Sequence, residues 1–433
     1  MILTRMVVLT TLSATALGAQ APRPDDRTLA RRIDAYIAPL TDHELSGTLL
    51  VARGDRVIFE RSFGYASYEL RVPFTPATPT NVASITKPLT IIILERLVEQ
   101  GKLRLQDTVS RWLPEYVYGN RMTVDQLVNH RAGVPHRLLA DDAQESPRTA
   151  SDMVQAANKM PLLFEPGSRS EYSSGGYAIL AAVLERASGK SYDALLQEYV
   201  AKPVGARTIR HLSHQEILPG RAESVIPAGD LILNAPLRDL SFLVGGGSVY
   251  TTPRDIFSVM WGLVRGTYGA GAREALLHDN GFRWNGITNG FRAFADWNAA
   301  DSVAVLFFGN AHTGAIDLMR REVPRIAAGA TVAPAEVPKV SGVALSDSAQ
   351  ARLAGTYNTG GGSVNFFKFV SPRVGLFGDR AMLALDDTTF FSYSDYARVW
   401  FRTGSAGTVE AIQWGPGTWG TGEMGPRFAR AGN

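Results

Sequence analysis

The chain has 433 residues, of which 45% are apolar and 20% are charged, which is the composition of an ordinary globular protein with about two domains. Its 44 basic and 41 acidic residues leave a formal net charge of +3, so no charge excess argues for nucleic acid or an anionic membrane surface as a partner. Cysteine is absent, which excludes a disulfide, a thiolate metal site and a cysteine nucleophile.

The first residues have the pattern of a secretory signal peptide. Arg5 is followed by an apolar run over residues 6–12 and by small residues over 14–19. The apolar run is shorter than the roughly 20 residues that a membrane span needs. We therefore expect residues 1–19 to be a cleaved signal peptide. The mature protein would be exported, periplasmic or secreted in a bacterium, without a transmembrane anchor.

The next part of the chain predicts a helix followed by a β-hairpin. Apolar residues at helical spacing indicate a helix over residues 27–40. Two apolar runs, over residues 47–52 and 57–63, flank Gly54 and Asp55, which are typical turn residues. This alternation indicates two strands joined by a tight turn.

A long apolar run from Ser84 to Gly101 predicts a helix that is buried on most of its sides. Ser84 then lies at the helix start, where unpaired N–H groups favour a developing anion. Lys87 follows on the same face, and a buried lysine that loses its proton can serve as the base for a serine nucleophile. The alternative is a capping serine followed by an ordinary lysine, because S-x-x-K is a loose pattern.

Helices and then strands follow this segment. We predict helices over residues 124–130, 151–159, 174–188 and 253–264, β-like runs over 281–285, 290–297 and 302–308, and a last helix over 315–327. An early hairpin, a helical middle and late strands favour one antiparallel sheet that is built from both chain ends and covered by helices. The fold class is therefore α+β, with this domain spanning residues 20–329.

The C-terminal part predicts a second, smaller domain. Residues 330–344 contain prolines and alanines with little periodicity, which is typical of a linker. Residues 345–433 are rich in glycine and aromatic residues, and their short strand-like runs predict a small β-barrel. We expect several aromatic residues to form the barrel core rather than a ligand site, namely Phe366, Phe367, Trp400 and Trp414.

Tyr172 is a further candidate for chemistry. It follows the turn at Pro166 and Gly167 and precedes the helix predicted to begin at Ser174. A phenol held near a lysine ammonium would have a lowered pKa and could move a proton. Serine, lysine and tyrosine would then form a nucleophile with its proton-transfer groups. The alternative is a tyrosine that faces solvent near a helix start.

Several motifs occur in one order along the chain and are together far more specific than any one of them. They are Ala83-Ser84-Ile85-Thr86-Lys87-Pro88, Leu103-Arg104-Leu105-Gln106-Asp107, residues 122–133, Phe164-Glu165-Pro166-Gly167 with Tyr172-Ser173, and residues 245–252. By these motifs the chain resembles the serine β-lactamase and penicillin-binding-protein superfamily. Within it, the likeness is to the class C-like group with family VIII carboxylesterases and CubicO-type serine hydrolases.

The resemblance implies a β-lactamase/transpeptidase-like fold with a helical subdomain and a mechanism that uses no cofactor. It implies Ser84 as the acylated nucleophile, Lys87 as its proton acceptor and Tyr172 as the group that activates water or assists proton transfer. The C-terminal region resembles the lipocalin-like appendage of some CubicO-type hydrolases.

Two motifs depart from the pattern of the family. The second motif is normally Tyr-x-Asn, but Ser174 replaces the asparagine and offers no amide to a substrate. The third motif normally begins with lysine or histidine, whereas the best match here is Trp284-Asn285-Gly286. His312-Thr313-Gly314 is interpreted as a decoy, with His312 at the surface or capping a helix.

With Trp284 in the first position of the third motif, the site lacks the cation that would bind a substrate carboxylate, and in this it resembles the family VIII carboxylesterases. The alternative is that Trp284 is simply a core residue. Gly286 would let a substrate approach the strand edge, and the N–H groups of Ile287 and Ser84 would form an oxyanion hole. The residues predicted to bind substrate are Ser174, Trp284, Asn285 and Gly286.

Two histidines, His130 and His136, lie six residues apart. Because no carboxylate ligands lie near them in the sequence, we predict no metal site there.

We predict a serine hydrolase that forms an acyl-enzyme at Ser84 and acts on small esters or other neutral acyl substrates. The enzymatic alternative is a D-amino-acid peptidase or D-Ala-D-Ala carboxypeptidase, and a weak β-lactamase ranks after these. A non-catalytic binding protein on the same fold is the alternative of another class. The joint presence of Ser84, Lys87 and Tyr172 argues against it, since a binding cleft does not need all three.

Overall fold

A computed structural model describes residues 24–41, 45–228, 231–278, 280–360, 363–405, 407–417 and 424–431. The predicted signal peptide over residues 1–19 lies outside these ranges. Within them, no helix is both long enough and apolar enough to cross a membrane.

The α-helices of the described part are α1 (Asp26–Ile37), α2 (Thr86–Glu99), α3 (Val124–Val128), α4 (Ala150–Ala157), α5 (Ser174–Ser188), α6 (Tyr192–Leu195), α7 (Pro253–Val264), α8 (Gly269–Leu276), α9 (Gly314–Ala327) and α10 (Asp347–Leu353). A 3₁₀ turn over Ala83–Ile85 leads into α2, and a π-helical turn over Leu196–Ala201 continues α6. The predicted helix over 174–188 is confirmed at both ends, where Ser173 caps its start and Gly189 ends it.

The strands of the described part are β1 (Gly47–Arg53), β2 (Arg56–Phe63), β3 (Tyr65–Ser67), β4 (Val72–Pro73), β5 (Thr80–Asn81), β6 (Arg210–His211), β7 (Val225–Ala228), β8 (Leu231–Asn234), β9 (Val249–Thr251), β10 (Gly281–Thr288), β11 (Phe291–Asn298), β12 (Val303–Gly309), β13 (Gly355–Gly360), β14 (Ser363–Ser371), β15 (Val374–Phe377), β16 (Arg380–Ala384), β17 (Thr389–Ser392), β18 (Ala397–Thr403), β19 (Val409–Trp414) and β20 (Arg427–Ala429). The predicted hairpin around Gly54 and Asp55 is confirmed as β1 and β2.

The central sheet is antiparallel, with the strand order β10-β11-β12-β1-β2. β1 pairs with β12 from Gly47 opposite Gly309 to Arg53 opposite Val303, so the early and late parts of the chain meet in the middle of the sheet. This arrangement confirms the predicted antiparallel sheet that is assembled from both chain ends.

Strand β1 is buried on both faces, because its side chains alternate between two helical layers. Leu50 and Ala52 join the core that contains α2, α5, α7 and α8. Leu49 and Val51 join the core that contains α1 and α9. The sheet is therefore the middle layer of the domain. Helix α2 packs against one face of it, and Ser84 lies in the 3₁₀ turn just before this helix.

The third sequence motif lies inside a strand. The predicted strand over 281–285 continues to Thr288, and Asn289 and Gly290 then form the turn into β11 with φ values of 45° and 83°. Two left-handed residues in succession are what a tight hairpin turn requires. Trp284, which the predicted strand already contained, and Gly286 therefore both lie within edge strand β10.

The C-terminal strands β13 to β20 form one antiparallel sheet, each paired with the next. A bridge between Tyr357 and Arg430 brings the last strand back to the first, so the barrel is nearly closed, as predicted. The boundaries of the predicted linker, 330 and 344, stay a prediction, and residues 330–346 contain neither helix nor strand.

The predicted barrel core is correct for two of the four aromatic residues. Phe367 and Trp414 are fully buried in the barrel interior. Phe366 is 53% exposed, and Trp400 lies on the same outward side of β18 as Arg402, whose guanidinium sits over its ring. These two predictions are wrong, because alternate residues of a strand face opposite sides.

The barrel docks on the start of α9. Gly314 donates its N–H to the carbonyl of Tyr393 at 2.8 Å. His312 is therefore covered, only 5% exposed, and burial lowers its pKa well below the ordinary value. Thr313, not His312, is the N-cap of α9. The interpretation of His312 as a surface or capping residue is thus wrong, because it did not foresee that the barrel packs there.

We expect Gly314→Ala to destabilise the protein. A Cβ at this position would lie 2.5 Å from the ring of Tyr396, so a packed ring must move. The expected loss in the free energy of unfolding is about 1–3 kcal/mol, measured by urea denaturation.

Gly189→Ala is the matched control, because nothing lies within 4 Å of its added Cβ and only its φ of 71° costs stability. If Gly314→Ala destabilised the chain no more than this control, the close packing between barrel and α9 would be refuted.

Candidate active site

Ser84 lies on a strained turn at the entrance of α2. The preceding residue, Ala83, has a φ of 46°, a left-handed conformation that a residue with a Cβ rarely adopts. Its N–H donates to Oδ1 of Asn81 at 2.8 Å, which holds the turn in place. Strain of this kind is concentrated at functional sites. The sequence offered no signal that singled out Asn81.

Lys87 lies one turn into the protein from Ser84, and only 5% of its surface is exposed. Its Nζ donates to the carbonyl of Gly246 at 2.7 Å and lies 3.2 Å from Oγ of Ser174 and 3.4 Å from Oγ of Ser84. No carboxylate of the described residues pairs with it. Burial therefore lowers the pKa of Lys87 to about 7. Near neutral pH a large fraction of this amine is uncharged and can accept a proton.

Tyr172 completes the group around Ser84. Its hydroxyl lies 2.6 Å from Oγ of Ser84, and its ring lies 4.6 Å from Nζ of Lys87. The residue as a whole is 48% exposed and lines the cleft. Burial there raises the pKa of Tyr172, against the lowering hydrogen bond from Ser84. The expected lowering of this pKa is wrong, because burial of the phenol outweighs the hydrogen bonds with Ser84 and Ser174 that lower its pKa.

His130 and His136 hold the segment that carries Tyr172. Their rings lie 4.7 and 5.5 Å from the ring of Tyr172. Nδ1 of each histidine accepts a backbone N–H, from Ser173 at 3.1 Å and from Ser174 at 3.2 Å respectively. Burial, together with the charge of Lys87, lowers the pKa of each histidine to about 4, so both are neutral at pH 7.

Sequence reasoning weighed the two histidines only as metal ligands and missed this positioning contact. Among the residues that the structure describes, no group of three or more acidic, histidine or cysteine side chains is arranged to hold a metal ion.

Gly286 lets β10 lie against the Ser84 turn. A Cβ at this position would be 2.2 Å from the carbonyl oxygen of Val82 and 3.1 Å from the backbone nitrogen of Ser84. The glycine therefore makes room for the protein's own backbone, rather than for a substrate. The next residue, Ile287, lines the cleft together with Ser84.

Trp284 and Asn285 have different surroundings on β10. Trp284 is 8% exposed and packs against Phe282 at 5.0 Å between ring centroids, while it still borders the cleft. Oδ1 of Asn285 accepts hydrogen bonds from Arg292 and, at 2.8 Å, from Arg320. The side chain of Asn285 can therefore offer a substrate its amide N–H groups but not a free amide oxygen.

Arg283 is a cleft residue that sequence reasoning missed. Its side chain is exposed and lines the cleft beside Trp284. No hydrogen bond or ion pair joins it to the residues described by the structure. The signal was its place directly before the third motif. A cation therefore borders the site even though Trp284 stands in the position where the family has one.

The cleft as a whole has a volume of about 590 Å³. Its walls bring together Ser84, Lys87, Tyr172, Ser174, Trp284, Asn285 and Ile287, and Gly286 lies behind them against the Ser84 turn. His312 is not among the residues that line it. The arrangement offers a hydroxyl nucleophile, a buried amine base and a phenol in mutual contact.

Comparison with known proteins places this fold and site in a family. The sequence model described as Beta-lactamase matches residues 33–362, well over half of the chain. The chain therefore belongs to the β-lactamase family of serine hydrolases.

Two curated relatives illustrate the range of similar proteins. The putative penicillin-binding protein PbpX of Bacillus subtilis (strain 168) is 24% identical over 288 residues, which cover 62% of this chain and 72% of that protein. Esterase EstB of Burkholderia gladioli is 32% identical over 216 residues, which cover 45% of this chain and 55% of that protein. The chain thus spans little more than half the length of EstB.

A solved structure is similar along nearly the whole chain. The crystal structure of SurE has a TM-score of 0.58 at 20% sequence identity and covers 94% of this chain and 99% of its own. At that coverage, the likeness in fold includes the C-terminal barrel as well as the β-lactamase-like domain.

We expect Gly286→Ala to slow the reaction of Ser84 with a fluorophosphonate by about 10²-fold, because the added Cβ would push β10 away from the nucleophile and its N–H. Intact-mass spectrometry follows adduct formation over time. Gly189→Ala, whose added Cβ meets nothing within 4 Å, should react at the rate of the wild type. Labelling of Gly286→Ala at the wild-type rate would show that this contact does not shape the site.

Proposed function

We propose that the protein is an exported serine hydrolase that forms an acyl-enzyme at Ser84 and acts on esters or other neutral acyl substrates. The observation that carries this proposal is the contact of Oγ of Ser84 with Nζ of Lys87 at 3.4 Å and with the hydroxyl of Tyr172 at 2.6 Å. A buried amine with a pKa of about 7 beside a serine hydroxyl is a base beside its nucleophile.

Acylation begins at Lys87. The neutral amine accepts the proton of Ser84 as Oγ attacks the acyl carbon, and the C–O bond to the serine forms. The negative charge on the acyl oxygen is stabilised by the backbone N–H groups of Ser84 and Ile287. The closeness of β10 to the Ser84 turn, which Gly286 permits, supports this oxyanion hole.

Tyr172 carries the proton between the steps. When the bond from the acyl carbon to the alcohol oxygen breaks, this hydroxyl donates a proton to the departing alkoxide. It then recovers a proton from the ammonium of Lys87, which lies 4.6 Å from the Tyr172 ring. In deacylation the same groups remove a proton from water, which attacks the acyl carbon and releases Ser84 with its proton. Because burial raises the pKa of Tyr172, it acts as a neutral phenol that relays protons rather than as a standing phenolate.

The preference for neutral acyl groups rests on the substrate-binding residues. Trp284 places an aromatic side chain where a lysine would attract a carboxylate, and Ser174 offers a hydroxyl but no amide. Asn285 lines the same wall of the cleft. The likeness to EstB, an esterase by name, supports ester substrates.

The second candidate function is that of a D-amino-acid peptidase or carboxypeptidase, and weak β-lactamase activity ranks after it. The observation that favours it is Arg283, an exposed guanidinium without a partner in the described part of the chain, beside Trp284 in the cleft. Such a cation can bind the terminal carboxylate of a peptide. The likeness to the penicillin-binding protein PbpX also supports it.

Export is proposed from the sequence of residues 1–19 alone, with its basic start, apolar run and small residues. The substrate would then be met outside the cytoplasm.

The proposal predicts that a fluorophosphonate adds to wild-type protein and not to Ser84→Ala, and that p-nitrophenyl butyrate turnover falls by about 10³-fold or more in this variant. Intact-mass spectrometry and absorbance measure the two effects. Ser258→Ala is the matched control, because its exposed hydroxyl bonds only the carbonyl of Arg254 on α7.

An adduct without ester turnover would contradict the proposal that esters are the substrates and would favour D-alanyl peptides as substrates instead. Hydrolysis of D-alanyl peptides is measured on the same samples. The absence of any adduct on folded wild-type protein would refute the proposed mechanism.

A further inference from the structure

A second cavity adjoins the active-site cleft. It has a volume of about 220 Å³. The two spaces share wall residues, namely His136, Ser174, Leu243, Ile287 and Thr288. A group held in this cavity would therefore lie next to the group that reacts at Ser84.

The barrel supplies the outer wall of this cavity, through Asn365 on β14 and through Gly378 and Asp379. The last two residues form the tight turn between β15 and β16, where φ of Gly378 is 64°. The turn faces the β10–β11 turn of the catalytic domain, whose Gly290 N–H lies 3.4 Å from Oδ2 of Asp379. Two hairpin tips from different parts of the chain thus meet beside the site.

Charged groups on opposite walls of the cavity have no close partner among the residues that the structure describes. The guanidinium of Arg137, on the catalytic side, reaches Asn365 only at 3.5 Å and Asp141 only at 3.9 Å. Asp379, on the barrel side, takes the single long contact from Gly290. A ligand with both hydrogen-bond acceptors and donors would satisfy both groups better than the protein does.

The remaining walls fit an apolar side group of the ligand. Gln144 and Asn289 also line the cavity and are only 3% and 5% exposed, and their amide oxygens are covered by neighbouring protein atoms. The apolar lining is formed by Leu138, Leu139, Met153, Phe242 and Leu243.

A further recess, of about 370 Å³, lies on the other side of Arg238 and Asn289, which line both spaces. The cavity therefore has the active-site cleft on one side and this recess on another, which leaves room for an elongated ligand.

We propose that the C-terminal barrel forms one wall of the substrate site and that the cavity beside it binds an amide-bearing, peptide-like segment of an extended substrate. Arg137 and Asn365 bind the carbonyl groups of that segment, and Asp379 accepts its N–H groups. This subsite rests on the proposed reaction at Ser84 and adds the class of substrate to it.

The test measures binding without turnover. N-acetyl-phenylalaninamide, as each enantiomer, is titrated into full-length Ser84→Ala protein and followed by ligand-observed NMR. We expect one enantiomer to bind, and we expect Asn365→Ala and Asp379→Ala, each added to Ser84→Ala, to weaken it by about tenfold, as the loss of one charge-assisted or buried hydrogen bond would.

Asp387→Ala in the same background is the control, because Asp387 is an exposed barrel residue that pairs with Arg352 outside the cavity. Its affinity should equal that of Ser84→Ala. Urea denaturation verifies that the variants fold.

Failure of both enantiomers to bind, or equal binding by all variants, would overturn the subsite. Neither result depends on catalysis, because binding is measured in the Ser84→Ala background. Failure of the subsite proposal is therefore distinguishable from failure of the proposed ester hydrolysis, which is tested with the wild-type protein.

Discussion

Lys87 is an amine enclosed by hydroxyl, carbonyl and aromatic groups, and the chemistry of the site depends on this enclosure. Moving a charged ammonium out of water costs several kcal/mol unless an opposite charge compensates. The described surroundings of Lys87 supply one carbonyl, two serine hydroxyls and two tyrosine rings, but no carboxylate. The neutral amine is therefore accessible near pH 7, and a serine can be activated without a histidine.

The architecture follows from keeping that amine buried and Ser84 reachable. The 3₁₀ turn before α2 carries Ser84 and the first turn of α2 carries Lys87. Helix α5 supplies Ser174, and the glycine-rich loop before β9 supplies the carbonyl of Gly246. Strand β10 closes the remaining side, which it can do only because Gly286 has no side chain to strike the Ser84 turn. The strained backbone of Ala83 belongs to the same arrangement, since it turns the chain at the point where these elements meet.

Local patterns in the sequence predicted the elements and much of the site, because each pattern has a local physical cause. The helix over 174–188 has its own caps, and Ser84 and Lys87 share a face by helical geometry alone. Contacts between distant segments could not be predicted in this way. The burial of His312, the outward side of Phe366 and the barrel wall beside the cleft all depend on how two domains pack and on which register each strand adopts. The pairing of His130 and His136 with the Tyr172 segment is likewise visible only in three dimensions.

The most direct test of the account is the ionisation of Lys87 itself. Protein labelled with ¹³C at the lysine side chains is titrated by NMR, and the Lys87 signal is assigned by its loss in Lys87→Arg. We expect the amine of Lys87 to titrate with a pKa of about 7, whereas an unperturbed lysine has a pKa of about 10.4. The base would then become active as the pH rises through about 7. A Lys87 signal that titrates together with the exposed lysines would contradict the account, because the group beside Ser84 would then be a fixed cation and not a base.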